Sequence, residues 1–241
     1  MSAQPVSASP PKRVAIVQSS YIPWKGYFDL IASVDEFVFL DDVQFTKRDW
    51  RSRNRIMTAH GPAWLSIPVL SKGRYRQPID RTEIAGPWAR RHWAALRSNY
   101  ARASHFDAFA PAIETLYEAA AGKGLLSDAN RLLIDGICAI LGIGTQRTDA
   151  RDYGAEGTKT DRLLSLCRAA GATEYLSGPS AAAYLDVGKF AAAGISVRYA
   201  DYSSYPEYSQ LHGRFEHGVT ILDLLFNTGP DARAFMKNLA P

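Results

Sequence analysis

The chain has 241 residues, 46% hydrophobic and 22% charged, with a net charge of +4. That is enough apolar chain for one sizeable core, and it excludes a disordered or low-complexity scaffold. No apolar run reaches the ~18 residues of a membrane span, and residues 1–12 have neither the basic start nor the apolar centre of a secretory signal. The expectation is a floppy leader over 1–12 and a single cytoplasmic domain over 13–241. Cys138 and Cys167 sit among apolar residues at helical spacing, so they read as core residues, and no Cys or His pair has zinc-site spacing.

The charge is unevenly placed. Between Phe45 and Arg97 twelve Lys or Arg face only three acidic residues, while the remaining chain is net acidic. Ten of the twelve are Arg, whose planar fork suits phosphate or carboxylate. A localised anion site fits this distribution better than a uniformly basic nucleic-acid coat.

In chain order, residues 14–17 read as a buried first strand, 18–23 as a turn, 24–34 as a helix, and 36–40 as a second strand ending in Asp41-Asp42. This compact strand–helix–strand unit predicts a parallel pair, with 18–24 and 41–44 facing one crevice at the strand C-termini. Residues 63–70 read as a third strand, and 88–100, 108–121 and 128–141 as helices. From Thr158 the alternation returns: Thr158 and Asp161 form the pattern of a capping box, Gly171 closes that helix, and 174–176 is a strand. Ser177-Gly178-Pro179-Ser180 then leads into a helix through Ala193, a strand over 195–199, and a last apolar helix over 219–226. The predicted fold class is α/β: a Rossmann-like three-layer sandwich with a mostly parallel sheet, and with residues 86–141 as a helical insertion or lid.

The densest polar cluster runs from Asp41 through Gln44 and Lys47 to Trp50, Arg51, Arg53 and Asn54. Adjacent carboxylates on a strand point to opposite sides, so either Asp41 or Asp42 faces the crevice, as a general base, a Mg²⁺ ligand or a partner of a sugar hydroxyl. Lys47, Arg51, Arg53 and Arg55 with Trp50 suit a diphosphate with a flat ring or sugar face. Ser177, Gly178 and Ser180 offer amides and hydroxyls at a helix start, with Lys159 beside them. Among five histidines, His92, on a helix flanked by Arg90 and Arg91, is the acid/base candidate. No nucleic-acid-binding pattern accompanies the basic stretch.

The motifs QSSYIPWKGYFDLI (18–31), FVFLDDVQ (37–44), KRDWRSRNRI (47–56), WLSIPV (64–69), YLSGPSAAAY (175–184) and ILDLLFN (221–227) resemble the WbqC-like family, in order and over nearly the whole chain. The resemblance implies a place in O-antigen or other surface-polysaccharide biosynthesis. It implies a sugar-modifying transferase that attaches an acyl or aminoacyl group, glycyl being one proposed for the family, to a nucleotide-linked amino sugar. On that reading the partner is a small-molecule nucleotide sugar, with no membrane and no nucleic acid, and no cofactor or metal is assigned. Gln18, Tyr21 and Trp24 would hold the sugar or base, Arg51, Arg53 and Lys47 the diphosphate, and Asp42 or His92 would deprotonate the amine. The family's Pro-Asn stands as Ser19-Ser20 here, and its Asn as Ser52. The first unit also resembles HIGH-motif nucleotidyltransferases, but both phosphate-binding histidines are missing and Lys25 is their one partial replacement. A non-catalytic nucleotide-sugar-binding module is the third alternative.

Overall fold

The computed structural model describes residues 11–239, so most of the expected leader lies outside the described residues. Lys12, assigned to that leader, is anchored: its Nζ donates to Ala170 O at 2.8 Å and pairs with Glu36 at 2.6 Å.

Strand β1 (Arg13–Val17) is followed by helix α1 (Lys25–Ala32) and β2 (Glu36–Phe39). β1 and β2 pair in parallel, and the connection through α1 is long enough for the crossover that a parallel pair needs. Alternate residues face opposite sides. Ala15, Phe37 and Phe39 join one core with Phe28 and Ile31 of α1, whereas Val14, Ile16, Val38 and Leu40 join a second.

The next sheet strand, β5 (Gln146–Asp149), comes only after a long crossover. That crossover holds an antiparallel hairpin, β3 (Arg53–Thr58) with β4 (Gly61–Ser66), and helices α2 (Ala89–Tyr100), α3 (Phe106–Ala121) and α4 (Leu126–Leu141). All three helices contribute to the core on the α1 side. On the other face, α5 (Lys159–Ala169) and α6 (Val187–Ala192) supply Leu163, Leu166, Cys167 and Phe190. Strands β6 (Glu174–Ser177) and β7 (Ser196–Tyr199) complete the sheet, and α7 (Ile221–Thr228) closes the larger core. The fold is therefore an α/β, Rossmann-like sandwich.

The sheet order is β5-β2-β1-β6-β7, with every pair parallel. The chain winds outward from β1 through β2 to β5, then returns to lay β6 on the other side of β1. The point where winding reverses, at the C-terminal ends of β1 and β6, is where open α/β sheets leave a crevice. No helix among the described residues is long and apolar enough to cross a membrane.

Four expectations are corrected. β3 forms where the polar cluster ends and no element was expected, and the strand expected over 63–70 is the return arm of its hairpin. β5, with the sequence QRTD, carries no apolar signal because it is a polar edge strand. The capping box at Thr158 does not form: Thr158 makes no side-chain cap, and Asp161 pairs with Lys189 at 2.6 Å instead. The helix expected through Ala193 breaks into a 3₁₀ turn (Pro179–Ala183) and α6, because Asp186 starts a new helix by accepting from Lys189 N–H.

Candidate functional site

Two cavities meet at the crevice. The first, about 290 Å³, lies over the ends of β1 and β6 and is lined by Gln18, Ser177, Gly178, Ser180, Tyr184 and Tyr202, among others. The second, about 340 Å³, lies toward the hairpin and is lined by Ser20, Pro23, Trp50, Asn54, Arg55 and His217. Trp24, Tyr27 and Arg51 line both, so these three side chains form the shared wall. Each volume is at the small end of ligand pockets, and together they match an extended small molecule.

The shared wall is built by the 18–24 loop. Asn54, 2% exposed, donates from Nδ2 to Tyr21 O at 3.1 Å and Ile22 O at 2.7 Å, and its Oδ1 accepts from Arg55 N–H at 2.8 Å. These bonds hold Ile22 at φ +34°, a backbone state that a β-branched residue adopts only under constraint. Trp24 then lies flat over Gly26, where a Cβ would meet its ring at 2.4 Å. Tyr27 donates to Gln18 O at 3.0 Å, and burial pushes its hydroxyl pKa well up.

Arg51 donates from Nη1 to Gln18 O at 3.1 Å and to Gln18 Oε1 at 3.2 Å, while its Nε–H has no hydrogen-bond partner among the described residues. The guanidinium is thus braced against Gln18, while the residue lines both cavities, a placement suited to an anion. Trp50 stands beside it at 42% exposure and meets Trp64 with ring centroids 5.3 Å apart; the Arg53 guanidinium covers Trp64 at 4.1 Å.

Of the expected site residues, Gln18, Trp24, Trp50, Arg51, Asn54, Ser177, Gly178 and Ser180 come together on the two cavities. The others stand elsewhere. Asp41 is fully buried and accepts from Ser19 N–H at 2.8 Å and Arg131 Nε at 2.9 Å, so its oxygens are occupied by structural donors. Asp42 lines neither cavity and pairs with Arg162. Tyr21 and His92 are core residues: the Tyr21 hydroxyl meets His92 Nδ1 at 2.7 Å and Tyr117 Oη at 2.7 Å. His92 packs against Trp88, and burial lowers its pKa to about 4. The helical spacing that singled out His92 is the period of a core face. Gln44 binds Tyr75 O, Arg53 is committed to Trp64, and Lys47 and Lys159 are exposed away from both cavities.

Lys25, the one residue of the HIGH-like turn able to replace a phosphate-binding histidine, also turns away. Its Nζ donates to Pro206 O at 2.7 Å and lies over the Tyr205 and Tyr208 rings. Burial lowers its pKa to about 8. Of the family departures, Ser20 lines the second cavity, whereas Ser19 and Ser52 are buried and line neither.

Arg55, grouped in the sequence with Arg51 and Arg53, does line the second cavity, whereas His217 and Gly218, which the chain brings there from a distant segment, carried no sequence signal as site residues. Arg55 Nε donates to Gly218 O at 2.9 Å. A Cβ at Gly218 would meet Arg55 Nη2 at 2.2 Å, so a larger residue there would push the Arg55 guanidinium aside.

No solved structure matches the chain. An uncharacterized protein of Mycobacterium tuberculosis (strain ATCC 25618 / H37Rv), Rv1507c, is 50% identical over 227 residues, covering 94% of this chain and 98% of that protein. The model of the WbqC-like protein family matches residues 18–235. With its motifs in order across that span, the chain belongs to the WbqC-like protein family.

Proposed function

We propose that the protein is a cytoplasmic sugar-modifying transferase of surface-polysaccharide biosynthesis, which attaches an acyl or aminoacyl group to a nucleotide-linked amino sugar. The observation that carries this proposal is Arg51, a guanidinium braced on Gln18 in the wall shared by two cavities at the sheet's reversal point. A ligand with a central diphosphate puts its charge at Arg51. Its nucleoside then occupies the crevice over β1 and β6, where α1 begins, and its sugar occupies the cavity beside Trp50. Trp24 offers an apolar face to both halves. A mononucleotide would fill one cavity only.

Thermal shift tests this. A ligand at 100 times its Kd stabilises the folded state by about 2.7 kcal/mol, which at ~2–4 °C per kcal/mol for a chain of this size is about 5–10 °C. UDP-glucosamine and UDP-N-acetylglucosamine should produce such a rise, and Arg51→Ala should abolish it. Stabilisation by ATP with Mg²⁺ alone, or a rise unaffected by Arg51→Ala, refutes the proposal. Tight binding without product from any acyl or aminoacyl donor would reduce it to a binding module.

A further inference from the structure

A transferase acting on an amine must remove a proton from nitrogen, and the residues expected to do so, Asp42 and His92, are not on the cavities. We infer that His217 is the proton acceptor of this site; the inference rests on the amino-sugar reading above. Among the described residues that line the two cavities there is no carboxylate and no second histidine. Arg51 and Arg55 hold their protons at any working pH. Phenols are protonated at neutral pH, and burial pushes Tyr27, Tyr175 and Tyr202 further up, Tyr202 to about 12. His217 is the one lining side chain with a basic lone pair.

Its placement is fixed from both sides. Glu216 N–H donates to Gln210 Oε1 at 2.8 Å and Glu216 O accepts from Gln210 Nε2 at 3.0 Å, while Gly218 O accepts from Arg55. The imidazole stands edge-to-face on Phe215, ring centroids 4.5 Å apart, and no hydrogen bond reaches its nitrogens among the described residues. The charged groups around it are Lys25 from α1, Arg51 and Arg55 from the hairpin side, and Glu207 and Glu216 from its own segment. Burial, then Lys25, lowers its pKa against the opposing pull of the two glutamates, so the ring is neutral at physiological pH.

In the step, the acceptor ammonium first loses one proton to water. The free amine then attacks the carbonyl carbon of an activated acyl or aminoacyl donor. As the C–N bond forms, the bond to the leaving group breaks with its electron pair, and His217 takes the second nitrogen proton. The imidazolium returns that proton to the leaving group, restoring the neutral ring.

Histidine-ring ¹⁵N NMR over pH 5–9 tests this without needing the donor, with His217→Gln identifying the signal. In the free protein His217 should titrate below 6.5. Its ring signals should shift when UDP-glucosamine binds and stay put with UDP. His217→Gln should retain both affinities and, with a working donor, lose about 10²–10⁴-fold in kcat. A midpoint at or above 6.5, or a ring unmoved by UDP-glucosamine that nevertheless raises Tm, overturns the inference. If neither nucleotide binds, the nucleotide-sugar reading falls alone. A low midpoint, with His217 carbethoxylated fastest of the histidines by diethyl pyrocarbonate, then keeps it as the base for another acceptor, and slow carbethoxylation rejects it.

Discussion

Replacing Asn54 by Ala separates the scaffold of the site from its chemistry. Asn54 lies on β3 with its side chain directed into the core and makes three hydrogen bonds, donating to Tyr21 O and Ile22 O and accepting from Arg55 N–H. Alanine removes all three and leaves two carbonyls and one amide without that partner at a nearly buried position. At about 1 kcal/mol per lost bond the cost is ~3 kcal/mol, equivalent to ~6–12 °C in Tm for a domain of this length. The strained φ at Ile22 should relax as well, moving Trp24 and Arg51 relative to each other. Urea denaturation followed by far-UV circular dichroism gives the stability. Calorimetric titration with the nucleotide sugar gives the affinity, which should fall although Asn54 carries no charge. A stability loss below about 1 kcal/mol would refute the claim that Asn54 fastens the 18–24 loop.

The buried neutral His92 makes stability pH-dependent with a definite sign. Its folded pKa, about 4, lies below the usual 6.5, so its contribution is complete above 6.5 and is lost as pH falls from 6.5 toward 4, by ~3 kcal/mol in all. His92→Gln should flatten the denaturation midpoint across that window, and an unchanged slope would place the acid sensitivity elsewhere. Asp41→Asn leaves Arg131 with one carboxylate partner, Asp149, and should cost ~3 kcal/mol in a thermal melt; a neutral result would show that the pair is not needed for stability. Gly26→Ala puts a Cβ 2.4 Å from the Trp24 ring, so the ring must swing off the shared wall. Stability should drop by ~1–3 kcal/mol and calorimetry should show nucleotide-sugar affinity weakened about tenfold, or 1.4 kcal/mol. An unchanged affinity would remove Trp24 from the site.

The sandwich was legible where local pattern and tertiary role agree. Val14 to Val17 and Phe37 to Leu40 are apolar on both faces because both faces of a central parallel strand are buried, and the helix between them supplies the crossover of a parallel pair. β5 was illegible for the opposite reason. As an edge strand its residues are polar, and only pairing with Glu36 through Phe39 makes Gln146 to Asp149 a strand. The capping box failed because the sequence pattern cannot show that Lys189, from another helix, competes for Asp161.

The basic band behaves differently again. Of its twelve cations only Arg51 and Arg55 line the two cavities, and most of the others do other tasks. Arg74 pairs with Glu83, Arg53 stacks on Trp64, and Lys47, Lys72, Arg81, Arg90 and Arg91 face solvent. What selects Arg51 and Arg55 is orientation. Along β3 the side chains alternate, so Arg53 and Arg55 share a face with Trp64 while Asn54 and Ile56 turn inward. That alternation depends on the register with β4, which the run of charges does not encode. Arg51, just before the strand, is aimed instead by its bond to Gln18 at the end of β1, 33 residues earlier. Composition therefore marks the basic segment, but which guanidinium lines both cavities is decided by long-range contacts. The same holds for His217, which no local motif distinguishes and which reaches the cavity only because Arg55 ties down its neighbour.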